Sequence, residues 1–166
     1  MSEDGFIAGE NDNLDFLKKY QVEGEDYGYS KFIDSIEFIV VGRKTYDKVK
    51  ALGYPYHEDK KVCVITRIVK ESKVENLTYH NGDVKELIDQ LKASTYKNVY
   101  CDGGAELASY MIENNLIDEI ILSVIPKKLN KGVLLFEKGI VPSSFELARR
   151  EEYEIGLIQY IYQFNR

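Results

Sequence analysis

Phe38-Ile39-Val40-Val41 is an unbroken apolar run that ends at Gly42. Such a run bounded by glycine predicts a strand buried on both faces. Ahead of it, Tyr29, Phe32, Ile33 and Ile36 recur at helical spacing and predict a helix over 28–36. After Gly42 the chain turns polar. Tyr46, Val49 and Leu52 then predict a short helix that stops at Gly53. Val62-Cys63-Val64-Ile65 reads as a second buried strand, and Leu77-Thr78-Tyr79-His80 as a short third. Asp83 is placed to cap an amphipathic helix whose inward face is Val84, Leu87, Ile88 and Leu91. Val99-Tyr100-Cys101 is the next strand, closed by Asp102-Gly103-Gly104. A helix with Leu107, Tyr110 and Met111 inward follows and ends at Asn114-Asn115. A strand over 119–125 stops at Pro126. The last runs, 145–153 and 157–164, are β-type and join near Gly156 as a hairpin.

Strand and helix alternate through the body, and the tail is antiparallel. The expected class is α/β: a three-layer α/β/α arrangement, a mostly parallel mixed sheet with an antiparallel C-terminal hairpin. The 166 residues suit a single domain over 1–166. The net charge is −6 and the pI about 5.1. That balance argues against a nucleic-acid partner and leaves room for anionic small molecules in a local basic pocket. Cys63 and Cys101 sit in apolar runs and read as free thiols, which points to a cytoplasmic location. The longest apolar run is too short to span a bilayer, and no signal segment opens the chain, so no membrane partner is expected. Two histidines without ligand spacing suggest no metal site.

Two places share one design, a buried strand ending in glycine where a helix begins: Gly42-Arg43-Lys44-Thr45 and Gly103-Gly104-Ala105. Ligands of open α/β sheets collect beyond the carboxyl ends of the strands. A helix start offers unpaired N–H groups, and glycine lets a phosphate approach them. Two such turns on one sheet suit a dinucleotide pyrophosphate, with Arg43 and Lys44 adding charge for a further phosphate. Each turn also has a plain reading, as tight helix–strand packing or as an exposed basic helix start. Neither the Gly-x-Gly-x-x-Gly fingerprint nor a P-loop is present.

The order of motifs resembles the dihydrofolate reductase fold family, above all the C-terminal reductase domain of riboflavin-biosynthesis proteins. The matching residues are Asp4-Gly5-Phe6-Ile7-Ala8-Gly9, Val41-Gly42-Arg43-Lys44-Thr45-Tyr46, Val64-Ile65-Thr66-Arg67, Asp102-Gly103-Gly104-Ala105-Glu106-Leu107, and Leu116-Ile117-Asp118-Glu119-Ile120 leading to Pro126, Gly132 and Phe136. The resemblance implies a reductase with NADPH as hydride donor and a small heterocycle or ribosylamino-pyrimidine as acceptor. A catalytically inactive nucleotide-binding module of the same fold is the alternative. It implies that Gly42, Arg43, Lys44 and Thr45 meet coenzyme phosphates, and that Thr66 and Arg67 flank the adenosine 2′-phosphate. Gly103, Gly104, Ala105 and Glu106 would hold the pyrophosphate, and Ile7 and Ala8 would border the nicotinamide. On the acceptor side it implies Asp26 as the catalytic acid, carried near the helix before the Gly-Arg strand, with Ser123 binding substrate; apart from the resemblance, Tyr27 and Tyr29 are aromatic candidates for lining a flat ring site, Tyr29 being the one taken as substrate-binding. Asp26 also reads as a solvated turn or cap residue, Ser123 as an ordinary strand serine and Tyr29 as helix packing.

Two departures stand out. The Pro-Trp pair of true dihydrofolate reductases is replaced by Asn11-Asp12-Asn13-Leu14-Asp15-Phe16, which argues against folate itself. The family also carries an apolar strand ahead of its Asp-Gly motif. Here Met1 stands three residues before Asp4, so residues 5–8 are expected to do more of the pairing, with reduced stability or activity if that strand is lacking. Relatives commonly pair, and a homodimer is expected.

Overall fold

The computed structural model describes residues 1–53, 57–136 and 141–165. Its elements in chain order are β1 (Phe6–Ala8), α1 (Tyr29–Asp34), β2 (Phe38–Gly42), α2 (Arg43–Ala51), β3 (Lys61–Ile65), β4 (Leu77–His80), α3 (Val84–Lys92), β5 (Val99–Cys101), α4 (Ala105–Glu113), β6 (Glu119–Val124), β7 (Val133–Leu134), β8 (Phe145–Glu152) and β9 (Ile158–Phe164). Two short 3₁₀ turns, Glu10–Asp12 and Asp15–Tyr20, lie between β1 and α1. The chain forms two compact units, residues 28–116 and the paired segments 1–27 and 117–166. The α/β class stands: a parallel sheet with helices, and antiparallel strands that include the expected C-terminal hairpin.

Residues 28–116 hold the parallel sheet, in the order β4-β3-β2-β5. Phe38 to Gly42 run in register with Lys61 to Ile65, and Phe38 to Val40 with Val99 to Cys101. Ile39, Val40 and Val41 are all at 0% exposure, so both faces of β2 are covered, as the continuous apolar run requires. Ile36, Ile39, Val41, Tyr46, Val62 and Val64 form the core. Asp83 caps α3 by accepting from the Lys85 N–H at 2.6 Å. Three details differ from the periodicity. α1 ends at Asp34, Leu52 is exposed at the end of α2, and Tyr110 is half out while Ile112 is buried. Leu52 is the C-cap residue past α2, whereas Ile36, past the end of α1, stays in the core and Tyr110 lies within α4 on its outer side.

The other unit is antiparallel, and more so than expected. β6 pairs with β9, and β9 with β8, while β1 pairs with β7. Ahead of β1, the Ile125 N–H donates to the Met1 carbonyl at 2.9 Å and Ser2 bridges Ile125 in parallel. The first residues thus pair with the end of β6. Phe16, Tyr20, Ile125 and Leu157 form this unit's core. No helix among the described residues is long and apolar enough to cross a membrane.

Candidate functional site

The two glycine turns meet within residues 28–116. β2 and β5 are neighbours, so their carboxyl ends emerge together. The Gly42 N–H donates to the Gly103 carbonyl at 2.6 Å, and Asp102 N–H to the Val40 carbonyl at 2.9 Å. A Cβ at Gly42 would lie 3.3 Å from the Gly103 oxygen and 3.4 Å from the Gly104 nitrogen, and one at Gly104 would lie 2.8 Å from Thr45 Oγ1. The close approach of the two turns thus leaves little room for a side chain at either glycine. Gly103 also has φ +73°, where a side chain is strained.

Neither α2 nor α4 receives a side-chain cap, whereas α3 does. The opening N–H groups of α2 and α4 lie directly behind the glycines, with the positive end of each helix. These are the features an anionic diphosphate fits, and the N-cap of each helix is a glycine, with no side chain to cap the amides.

The basic residues are less uniform. Arg43 and Lys44 are exposed, and Arg43 forms an ion pair with Asp47 at 3.5 Å. Thr66 is buried, with its N–H on the His80 carbonyl at 2.9 Å and its hydroxyl accepting from Ile68 N–H at 3.2 Å. Arg67 is exposed and ion-paired with Glu106, which stands in the first turn of α4. This pairing was not legible in the sequence. It ties the end of β3 to the start of α4 and puts a carboxylate beside the guanidinium expected to meet a phosphate. Exposed as it is, the pair contributes little stability and can exchange partners. Tyr29 opens α1 and is 45% exposed. Its hydroxyl lies 3.1 Å from His57 Nε2, and burial, then the Asp102 carboxylate, push its pKa up. His57 is thus part of this aromatic edge.

Ile7, Ala8, Asp26 and Ser123 belong to the other unit. Phe6 and Ala8 pair with Leu134 and Val133, and Ala8 is buried while Ile7 is half-buried. Gly132, at φ +141°, lies so close to this strand that a Cβ would sit 2.0 Å from the Ala8 oxygen. Asp4 fixes the same loop. It accepts from Leu129 N–H at 3.1 Å, Asn130 N–H at 2.7 Å and the Ser2 hydroxyl at 2.7 Å. Desolvation pushes the Asp4 carboxyl up, but the bonds from Ser2, Asn130 and Leu129 outweigh it and hold the pKa at about 2. The loop borders a cavity of about 490 Å³ whose other wall includes Gly9, Asn13 and Phe16. Ser123 is half-buried, and its hydroxyl accepts from Gln159 Nε2 at 3.1 Å.

Asp26 departs from expectation. It is exposed, in the turn before α1 and off the helix. Gly28, with φ +78°, is the N-cap of α1, which begins at Tyr29, so Asp26 lies ahead of the helix. The burial that would tune a carboxyl for proton donation is therefore missing. Gln159 faces Ser123 through the pairing of β6 with β9, a register that the residues around it in the chain do not announce.

Comparison with known proteins agrees with this geometry. The C-terminal domain of RibD matches residues 31–158. The uncharacterized protein YwjB of Bacillus subtilis is 36% identical over 140 residues, covering 83% of this chain and 79% of its own. YyaP from the same organism is 27% identical over 98% of this chain and 90% of its own. Among solved structures, a protein of Shewanella sp. PV-4 assigned by name to riboflavin biosynthesis superposes with a TM-score of 0.87 at 26% identity, covering 100% of this chain and 96% of that one. A Thermotoga maritima diaminohydroxyphosphoribosylaminopyrimidine deaminase/5-amino-6-(5-phosphoribosylamino)uracil reductase shares the fold, with a TM-score of 0.74 at 15% identity; this chain, 99% covered, spans 54% of it. With adjoining glycine turns and a family match over most of its length, the chain belongs to the RibD C-terminal domain family.

Proposed function

We propose that the protein is an NADPH-dependent reductase acting on a small nitrogen heterocycle of the pteridine kind or on a ribosylamino-pyrimidine. The observation that carries this reading is the Gly42–Gly103 hydrogen bond, which holds two uncapped helix starts side by side. When bound, the coenzyme supplies the hydride. The amides opening α2 and α4 bind its diphosphate, with Gly42, Gly103 and Gly104 keeping side chains out of the way. Arg43, Lys44 and Thr45 add donors. Thr66 and Arg67 select the 2′-phosphate, Arg67 leaving Glu106 to do so. Ile7 and Ala8 present an apolar border that excludes water from the nicotinamide. Ser123 and Tyr29 orient the acceptor, and the exposed Asp26 carboxylate relays a proton from solvent to an acceptor nitrogen.

The test is coenzyme titration by fluorescence, which no tryptophan obscures. NADPH is expected to bind roughly tenfold or more tighter than NADH, and Arg67→Ala to remove most of that difference. Equal affinities in the parent protein would overturn the assignment. Asp26→Asn is expected to slow turnover without altering coenzyme affinity. The exposure of Asp26 favours a second reading, a nucleotide-binding module without turnover. NADPH binding with no oxidation against a panel of pteridines and pyrimidine ribosylamines would establish that one. We also propose a homodimer and cytoplasmic residence; light scattering tests the first and fractionation the second.

A further inference from the structure

Asp4 and Gly132 bring the loop after β6 against the segment after β1, and the cavity of about 490 Å³ is lined by both. Its walls are held from behind. The Asp4 carboxylate takes the Leu129 and Asn130 N–H groups, and Gly9 N–H donates to the Asn13 carbonyl at 2.8 Å. Phe16, in this unit's core, and half-buried Leu129 give the cavity an apolar side. Its polar side chains divide into two kinds. Asn13 is spent, its amide nitrogen donating to the Asp15 carboxylate at 3.1 Å and its oxygen accepting from Asp15 N–H at 2.7 Å. Glu10 and Lys131 line the same cavity, and among the described residues neither side chain has a hydrogen-bond or ion-pair partner.

The two charges have fixed polarity. An ionised carboxylate only accepts, and an ammonium only donates. Asn130, also on the cavity, carries an amide that offers both and so does not discriminate. Glu10 and Lys131 stand on one cavity without pairing with each other. They suit a flat ligand that presents N–H groups to one and an oxygen to the other, its ring covered by Phe16 and Leu129. A 2-amino-4-oxopyrimidine has such an edge. Its ring N–H and amino group give a carboxylate two parallel hydrogen bonds, and its oxo group gives an ammonium one. A 2,4-dioxopyrimidine puts an oxygen where the amino group stood, and that oxygen meets the carboxylate with no proton between them. The position fits as well. Gly9 follows Ala8, and Gly132 packs on the Ala8 carbonyl, so the cavity adjoins the strand end that borders the nicotinamide in the reductase reading.

We infer that Glu10 and Lys131 are specificity-determining residues that select a 2-amino-4-oxopyrimidine ring over its 2,4-dioxo counterpart, Glu10 taking the amino edge and Lys131 the oxo group. The inference rests on the reductase reading and chooses within it: among pteridines and ribosylamino-pyrimidines alike, the amino-oxo members are taken and the dioxo members refused. A site whose carboxylate must receive protons discriminates by more than shape, because the wrong ring leaves that carboxylate unpaired.

Two probes test it, 2-amino-4-oxopteridine and 2,4-dioxopteridine, which exchange a donor for an acceptor at one ring substituent. Their dissociation constants are measured by quenching of their own fluorescence, with saturating NADP⁺. The parent is expected to hold the amino probe about tenfold tighter. Glu10→Gln keeps the length of the side chain but offers a donor as readily as an acceptor, so the two constants should come within about twofold of each other. Lys131→Met should weaken both probes about fivefold and leave their ratio alone, since both carry the same oxo group. Both side chains are exposed, so neither change threatens the fold. A parent with no preference overturns the inference. So does a preference that survives Glu10→Gln, whether or not both probes bind more weakly, because Glu10 would then act on shape alone. Two outcomes separate this failure from that of the reductase reading. Probes that do not bind to a protein that still takes NADPH overturn the inference and leave the coenzyme assignment standing. A Glu10-dependent preference in a protein that takes no NADP⁺ removes the reductase reading and leaves the cavity assignment standing.

Discussion

Residues 28–116 close through parallel strands, with β2 lying between β3 and β5. The other unit closes differently. Asp4 bonds Leu129 and Asn130 across some 125 residues, and Gly132 packs on Ala8. The first kind of closure depends on runs of apolar residues and on the glycine turns after β2 and β5. The second depends on single polar or small residues whose partners lie at the far end of the chain. The first is robust to any one exposed change and the second is not.

The sharpest test of that contrast is Gly132→Ala. Its Cβ would fall 2.0 Å from the Ala8 oxygen at a φ of +141°, so a loss of about 4 kcal/mol is expected in urea unfolding. A cost below about 1 kcal/mol would show that the loop yields and would break the comparison. Ile39→Ala comes next, at about 3 kcal/mol, because Ile39 is at 0% exposure in the parallel sheet. Hydrogen exchange should then lose protection along β2 and β3. Asp4→Asn is expected to cost roughly 1 kcal/mol at neutral pH, the scale of a partly exposed charged hydrogen bond. Since folding lowers this carboxyl from 3.8 to about 2, its contribution is present above pH 3.8 and lost as the pH falls through about 2. Stability curves of parent and variant should converge there; curves that stay parallel would mean Asp4 acts otherwise. Asp83→Ala, which removes the α3 cap, should cost about 1 kcal/mol or less and touch exchange only in α3.

The parallel strands, the Asp83 cap and the hairpin were legible because each is written in neighbouring residues. The runs at 38–41 and 62–65 and the turn at Gly156 need no distant partner to be recognised. The adjacency of the two glycine turns was expected from their shared strand-to-helix pattern, and the backbone bond between Gly42 and Gly103 makes it concrete. The acceptor side was not legible to the same degree. Asp26 was placed by the resemblance alone, and the fold leaves it exposed ahead of α1. Gln159 is an unremarkable polar residue in a strand until β6 pairs with β9 in a register that faces it to Ser123. Arg67 meeting Glu106 likewise requires β3 and α4 to be placed first.

By itself the chain determined its class, its strand and helix succession, and which backbone turns are bare enough for an anion. These follow from hydrophobic period and glycine position, which act within a few residues. The tertiary structure alone decided which donors point at which acceptors: Gln159 at Ser123, Asp4 at the loop after β6, Arg67 at Glu106. Hydrogen bonds are directional over about 3 Å, and that precision exists only once distant segments have been brought into register.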